Sequence, residues 1–255
     1  MDAPDLRIAI ASNKAKLDAL RPLRAGALRN LRKYYDLELT YTSNAIEGNT
    51  LTARETAEVI EHGVTIAGKR LRDHLEAIDH YEALQWVRGL AVETTPLNET
   101  SVTELHRRVV ARSQPDIAGI YSSLPRRILG SSVVFPNPAK ISDLMAAFGA
   151  GLSASAASPE SAFEAHLRLV SIHPFSDGNG RTARLLMNLI LLRAGYPPVA
   201  VRPEDRLAYL DALEKNQLAE DAAAYNRFML QRLNDTLTEY IDVLTQAAPP
   251  TDQRN

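Results

Sequence analysis

His173-Pro174-Phe175-Ser176-Asp177-Gly178-Asn179-Gly180-Arg181-Thr182-Ala183-Arg184 concentrates four chemical roles in twelve residues. Gly178 and Gly180 permit backbone geometries closed to other residues and flank Asn179, where an apolar helical run begins. A helix start presents free N–H groups and partial positive charge, so it binds phosphate. Arg181 and Arg184, three apart on one helical face, add two cations at that end. Asp177 supplies one carboxylate, the usual way to hold Mg2+ beside phosphates. His173 supplies a base near neutral pH. The set describes polyphosphate, Mg2+ and a proton acceptor. It is neither a P-loop nor a dinucleotide fingerprint, because GxxxxGK[ST] and GxGxxG are both absent. Taken singly, a Gly-Asn-Gly is usually a turn and a pair of arginines near a helix start is usually solvated. Four roles converging in one short segment argue for a site.

Outward from this loop the pattern is mostly helical. Upstream, Ser158-Pro159-Glu160 reads as an N-cap, a proline at N1 and an acid in the first turn of a helix reaching about Ile172. Downstream, an apolar helix over 181–193 is stopped by Pro197-Pro198, and two further helices fit 204–219 and 222–246. Leu17 to Glu47 shows helical spacing, with Pro22 starting or restarting it and Gly48 as a natural C′ residue. Thr52-Ala53-Arg54-Glu55 is a capping box opening a helix to Glu61, and further helices fit 73–90 and 102–111. Residues 149–158, rich in Gly, Ala and Ser, read as a loop. Between Gln114 and Pro138 the chain is rich in Pro and Gly, and Ile128-Leu129-Gly130-Ser131-Ser132-Val133-Val134-Phe135 reads as a β-hairpin or flap.

Ser43-Asn44-Ala45-Ile46-Glu47-Gly48-Asn49 is the second informative stretch. Ser43 and Glu47 are four apart on one helix face. Glu47 sits at the end of its helix, where the macrodipole disfavours an anion. It is either a solvated glutamate at a fraying end or an anion awaiting a cation from elsewhere.

Composition bounds the rest. The chain has 255 residues, 45% hydrophobic and 24% charged, enough for a core without staples. Lys plus Arg total 29 against 31 Asp plus Glu, which gives no footprint for nucleic acid or an anionic membrane. The absence of cysteine excludes disulfides, thiolate metal sites and thiol nucleophiles and fits a reducing cytoplasm. The most apolar stretch, 185–192, is broken by Asn188 and falls far short of the ~20 residues of a membrane span. No apolar signal region follows the acidic N-terminus, so the expectation is a cytoplasmic protein. His62, His74, His80, His106, His166 and His173 form no HExxH pattern. His74 and His80 read as helix-surface residues and Trp86 as core. Tyr34, Tyr35 and Tyr41 read as packing residues and, less readily, as hydroxyls for self-modification.

The 173–184 segment matches H-x-F-x-[DE]-G-N-G-R-x-x-R at every specified position, and the chain from about 35 to 230 resembles the Fic-domain proteins. The resemblance implies an all-α, mainly helical Fic fold with a small β-hairpin flap. It implies transfer of a nucleoside monophosphate, usually AMP from ATP, to a protein Ser, Thr or Tyr hydroxyl. By it His173 is the general base and Asp177 holds Mg2+. Gly178, Asn179 and Gly180 form the anion nest, Arg181 contacts phosphates, Arg184 reaches the γ-phosphate and Phe175 anchors the loop. The flap, Ile128, Leu129, Gly130, Ser131, Ser132, Val133 and Val134, would dock an extended target segment. Leu105-His106 and Gly119-Ile120-Tyr121 fit the family pattern. Ser122 departs from it, standing where an arginine is frequent, which leaves the local flap contacts open. Ser43 to Gly48 resembles the family's inhibitory motif [ST]-x-x-x-E-[GN], which implies that Glu47 pairs with Arg184 in the γ-phosphate's place.

The expected organisation is an N-terminal regulatory segment over 1–95, a catalytic core over 96–246 and a disordered tail over 247–255. The partners expected are a protein substrate, with self-modification and a homodimer compatible with the resemblance, and neither nucleic acid nor membrane. Alternatives stay open: transfer of another phosphate-containing group with the nucleotide reversed, removal of AMP with Glu47 placing a water, or a nucleotide sensor without transfer activity.

Overall fold

The structure, a computed structural model, describes residues 2–22, 25–127, 130–219 and 221–246. The centre of the fold is α8 (Asn179–Arg193), in which every residue from Arg181 to Leu191 is buried. A helix buried all round must be surrounded by other elements. Around it pack α2 (Ala25–Ile46), α4 (Leu71–Ala91), α5 (Glu99–Val109) and α7 (Pro159–Ile172). α6 (Ile141–Ala154) lies against α5 and α7, α3 (Ala53–His62) against α2 and α4, and α9 (Arg206–Ala219) against α10 (Ala223–Gln246). Among the described residues the chain forms ten α-helices and no sheet, so the fold class is all-α.

Local chemistry starts most of these helices where the sequence places them. Thr52 caps α3 in a capping box with Glu55, and Ser158 caps α7 with Pro159 at N1. A box formed by Asn98 and Ser101 starts α5 three residues earlier than the apolar spacing suggests. α1 (Ala3–Ala19) has no counterpart in the sequence reading, although Asp2 caps it and accepts from the Asp5 N–H. Its buried apolar residues are few, Leu6, Ile10 and Leu17, and they seal it onto α10.

Three expectations are corrected. Residues 149–154 are helical, not loop. Gly149 is there for close approach: a Cβ would collide with the Glu99 backbone, and Ser153 Oγ donates to Leu97 O at 2.7 Å. His74 and His80 are buried, not surface. His74 is stitched between the Ile66 N–H and the Arg70 carbonyl, and His80 Nδ1 lies 3.3 Å from Thr40 Oγ1.

The flap also differs. Ile128 and Leu129 lie outside the described residues, as does the tail over 247–255. Over 130–135 Val133 and Phe135 turn inward and Val134 outward, but no strand ladder forms among the described residues. The donors a ladder would use go to side chains. Glu214 of α9 accepts from Ser131 Oγ and the Ser132 N–H at 2.9 Å, and Ser131 Oγ accepts from the Val133 N–H at 3.2 Å. One isolated antiparallel bridge, Tyr121 with Phe175, ties the start of this arm to the 173–184 loop. No described helix is long and apolar enough to cross a membrane.

Candidate active site

The loop between α7 and α8 is held from several directions. α7 ends at His173 in the left-handed region, φ 51° and ψ 54°, a conformation non-glycine residues adopt rarely. That turn carries the His173 ring into a cleft and stacks it on Phe135 at a centroid distance of 4.0 Å. Phe175 is fully buried and stacks face to face on His106 at 3.6 Å. His106 takes the Gly119 N–H on Nδ1 at 3.0 Å and therefore donates Nε2–H to the Asp177 carbonyl at 3.0 Å. Burial pushes its pKa down to about 4, which keeps the ring neutral for both roles. The Asn179 side chain clasps Phe175, accepting its N–H at 2.9 Å and donating to its carbonyl at 2.8 Å. Gly178, φ 76°, makes the turn into α8 and gives no side-chain cap, so the first amides of α8 are not taken up by its own N-cap.

The Asp177 carboxylate receives Arg72 at 2.7 Å, Gln114 at 2.6 Å, the Gly178 N–H at 2.6 Å and Arg181 at 3.4 Å. Burial would raise this carboxyl, but the Arg181 charge and the donors on it outweigh burial and leave it below the ordinary value. Arg72 also pairs with Glu76 at 2.9 Å, and Glu76 faces Arg181 at 3.6 Å. Among the described residues no group of three or more His, Asp or Glu gathers to hold a metal. A lone carboxylate at a helix start fits a cation shared with phosphates rather than a protein-only cage.

Glu47 reaches the same place from the other end of the chain. α2 stops at Ile46, one residue short of Glu47, and has no basic residue in its last turn. The cations come from afar: Arg206 Nε donates to the Ile46 carbonyl at 2.8 Å, and Arg184 donates to Glu47 Oε1 at 2.7 Å. Arg184 also donates to Ser43 Oγ at 3.0 Å and the Ser43 carbonyl at 2.8 Å. Gly180 makes room for this seat, because a Cβ there would collide with Glu47 Oε1. Glu47, Gly130, Ser131, His173, Gly180 and Arg184 all line one cleft of about 280 Å3. Burial, the largest influence, lowers the His173 pKa, against the Val170 carbonyl and the Glu47 charge, which raise it.

Several participants carry no motif signal. Arg72 and Glu76 are an ordinary i, i+4 pair until α4 is placed beside α8. Arg126 reaches past Ser122 Oγ at 3.1 Å to Ser176 Oγ at 2.6 Å and so braces the 173–184 loop from the 115–137 arm. Ser122, the residue that departs from the family pattern, donates its N–H to the Pro174 carbonyl at 2.8 Å.

Comparison with known proteins agrees with this architecture. Residues 96–191 match the model of the Fic/DOC family. A protein adenylyltransferase Fic from Nematostella vectensis is 36% identical over 236 residues, covering 89% of this chain and 54% of that protein. Its counterpart in Drosophila melanogaster is 33% identical over 238 residues, covering 91% and 48%. A solved fragment of Fic-1 from C. elegans superposes with a TM-score of 0.85 at 31% identity, covering 96% of this chain and 74% of that one. A Fic domain containing signaling protein from Bacteroides thetaiotaomicron gives 0.86 at 28% identity, covering 94% and 98%. The chain belongs to the Fic/DOC family. It spans about half the length of the curated relatives it matches.

Proposed function

We propose that the chain is an autoinhibited protein adenylyltransferase, which moves AMP from ATP to a Ser, Thr or Tyr hydroxyl of a protein. The observation that carries this is the gathering of His173, Gly180, Arg184 and Glu47 around one cleft at the start of α8. The names of the curated relatives support the same reaction. The unprotonated His173 takes the proton of the target hydroxyl. The hydroxyl oxygen attacks the α-phosphorus, the bond to the β-phosphate bridging oxygen breaks, and pyrophosphate leaves. The amides of Asn179 and Gly180 face the phosphates, and Arg181 and Arg184 stabilise their charge. The residue that would hold Mg2+ is Asp177, and the ion would supply charge neutralisation between phosphates. Because Arg72 occupies that carboxylate here, it must yield part of it on metal binding.

Glu47 is proposed as the inhibitor. A carboxylate on Arg184 competes directly with a terminal phosphate for the same guanidinium. In this reading residues 1–95 form the regulatory part and 96–246 the catalytic core, and the cysteine-free composition supports a cytoplasmic setting.

The test incubates wild type, Glu47→Gly, and Glu47→Gly with His173→Ala with Mg2+ and ATP labelled at the α- or γ-phosphate. Expected is protein-bound label from the α-phosphate only, raised by Glu47→Gly and cut about 10²–10⁴-fold by His173→Ala, the usual worth of a general base. Label from γ only would replace the reading by phosphoryl transfer. Loss of AMP from a pre-modified protein, dependent on Glu47, would replace it by removal.

A further inference from the structure

Arg72 is misplaced by its own helix, as Glu47 is by its own. It stands in the first turn of α4, where the macrodipole disfavours a cation. What holds it there is acid: it donates to Asp177 Oδ2 at 2.7 Å and to Glu76 Oε1 at 2.9 Å. Glu76 is itself buried and takes the Asn49 amide on its other oxygen at 3.1 Å.

The Asp177 carboxylate is full. Its two oxygens offer about four lone-pair sites. Oδ1 takes the Gly178 N–H at 2.6 Å and Arg181 at 3.4 Å, and Oδ2 takes Gln114 at 2.6 Å and Arg72 at 2.7 Å. A divalent cation can bind there only if a donor leaves. The Gly178 N–H is fixed by the turn into α8, and the Arg181 side chain is 2% exposed. Gln114 is neutral and repels no cation. Arg72 differs on every count. It carries a charge that opposes a metal directly, its side chain is 49% exposed, and a second acceptor, Glu76, already holds it. It is the donor that can leave Asp177 without being stranded.

We infer that Arg72 stands in for the metal in the resting site, as Glu47 stands in for a terminal phosphate, and that Glu76 is the seat to which it withdraws. The resting cleft then carries a cation and an anion of its own in the places of both charges of a metal nucleotide. Arg72 acts through Asp177 and is a positioning residue: it sets how strongly Mg2+ supports nucleotide binding. Glu47→Gly empties only one of the two places, so that variant still meets a cation on Asp177. The inference deepens the proposed function and rests on Asp177 holding the metal.

The experiment measures the affinity of ADP, which carries the α- and β-phosphates, by calorimetry in the Glu47→Gly protein. Each titration is made with Mg2+ and with EDTA, and the readout is the ratio of the two affinities. Adding Arg72→Ala is expected to raise that ratio about tenfold, the scale of a hydrogen bond between charged groups. Adding Arg72→Gln, which keeps a donor and loses the charge, is expected to raise it by less. Adding Asp177→Ala should bring it down toward one. A merely structural role for Arg72 would move both affinities alike and leave the ratio where it was. An unchanged or lower ratio in the folded Arg72 variants would overturn the inference. A ratio that survives Asp177→Ala would overturn the placement of the metal, and the inference with it.

Discussion

The 173–184 loop and the 115–137 arm meet at the same cleft but are held by opposite means. In the loop the clamps are buried: Asn179 clasps Phe175 four residues back, and Phe175 stacks on His106 of α5. In the arm Phe135 packs inward on His173, but the side-chain hydrogen bonds are made nearer the surface and reach far along the sequence, Glu214 to Ser131 and Ser132 and Arg126 to Ser176. Buried, fully satisfied clamps hold a geometry, whereas exposed ones are released at little cost. The polar clamps of the loop are thus costly to lose and those of the arm are not.

Substitutions can break that contrast. The largest effect is expected from Phe175→Ala, which empties a fully buried site and should cost about 3–5 kcal/mol in denaturant unfolding. Asn179→Ala leaves the Phe175 N–H and carbonyl unpaired, at about 1–3 kcal/mol each by the same measurement. Glu214→Ala should barely move the melting temperature, yet speed protease cleavage within 130–137, because it removes the acceptor for Ser131 and Ser132. A large drop in stability with Glu214→Ala, or none with Asn179→Ala, would erase the contrast.

The smallest effect is on pH. The charged form of His173 is disfavoured by burial, so its folded pKa lies below the ordinary 6.5. In the proposed role His173 is available as base above that pKa and lost as pH falls through it, so the acid limb of kcat/KM should lie below pH 6.5. Glu47 raises the His173 pKa, so Glu47→Gly should move the limb further to acid. A limb moving toward neutral in that variant would contradict the placement of Glu47.

The same contrast explains what the sequence makes legible. The loop is legible because its chemistry needs specific residue types at specific spacings, whereas the clamps from Arg72, His106 and Gln114 lie far away in sequence and are not. The end of α2 could be read because Glu47 is misplaced by its own helix, and the structure supplies the cations, Arg184 and Arg206. The arm reads as a hairpin from two short apolar pieces around Gly130, but its partner is Glu214, some eighty positions away, which that local pattern does not encode. α1 is not legible in the sequence because only Leu6, Ile10 and Leu17 are buried anchors. The second half of α6 reads as loop because Gly149 and Gly151 look like breakers, but Gly149 serves close packing on Glu99. His166 and Tyr209 carry no motif, and only the folded chain brings them within 2.8 Å of each other.

The central claim is that Glu47 holds Arg184 in the place of a terminal phosphate. The most direct test is calorimetric titration of wild type and Glu47→Gly with ATP and with AMP. If the seat is shared, Glu47→Gly should bind ATP about tenfold or more tightly than wild type, since the competent state no longer has to be won from Glu47, while AMP affinity stays level. Equal ATP affinity in the two proteins would contradict the account.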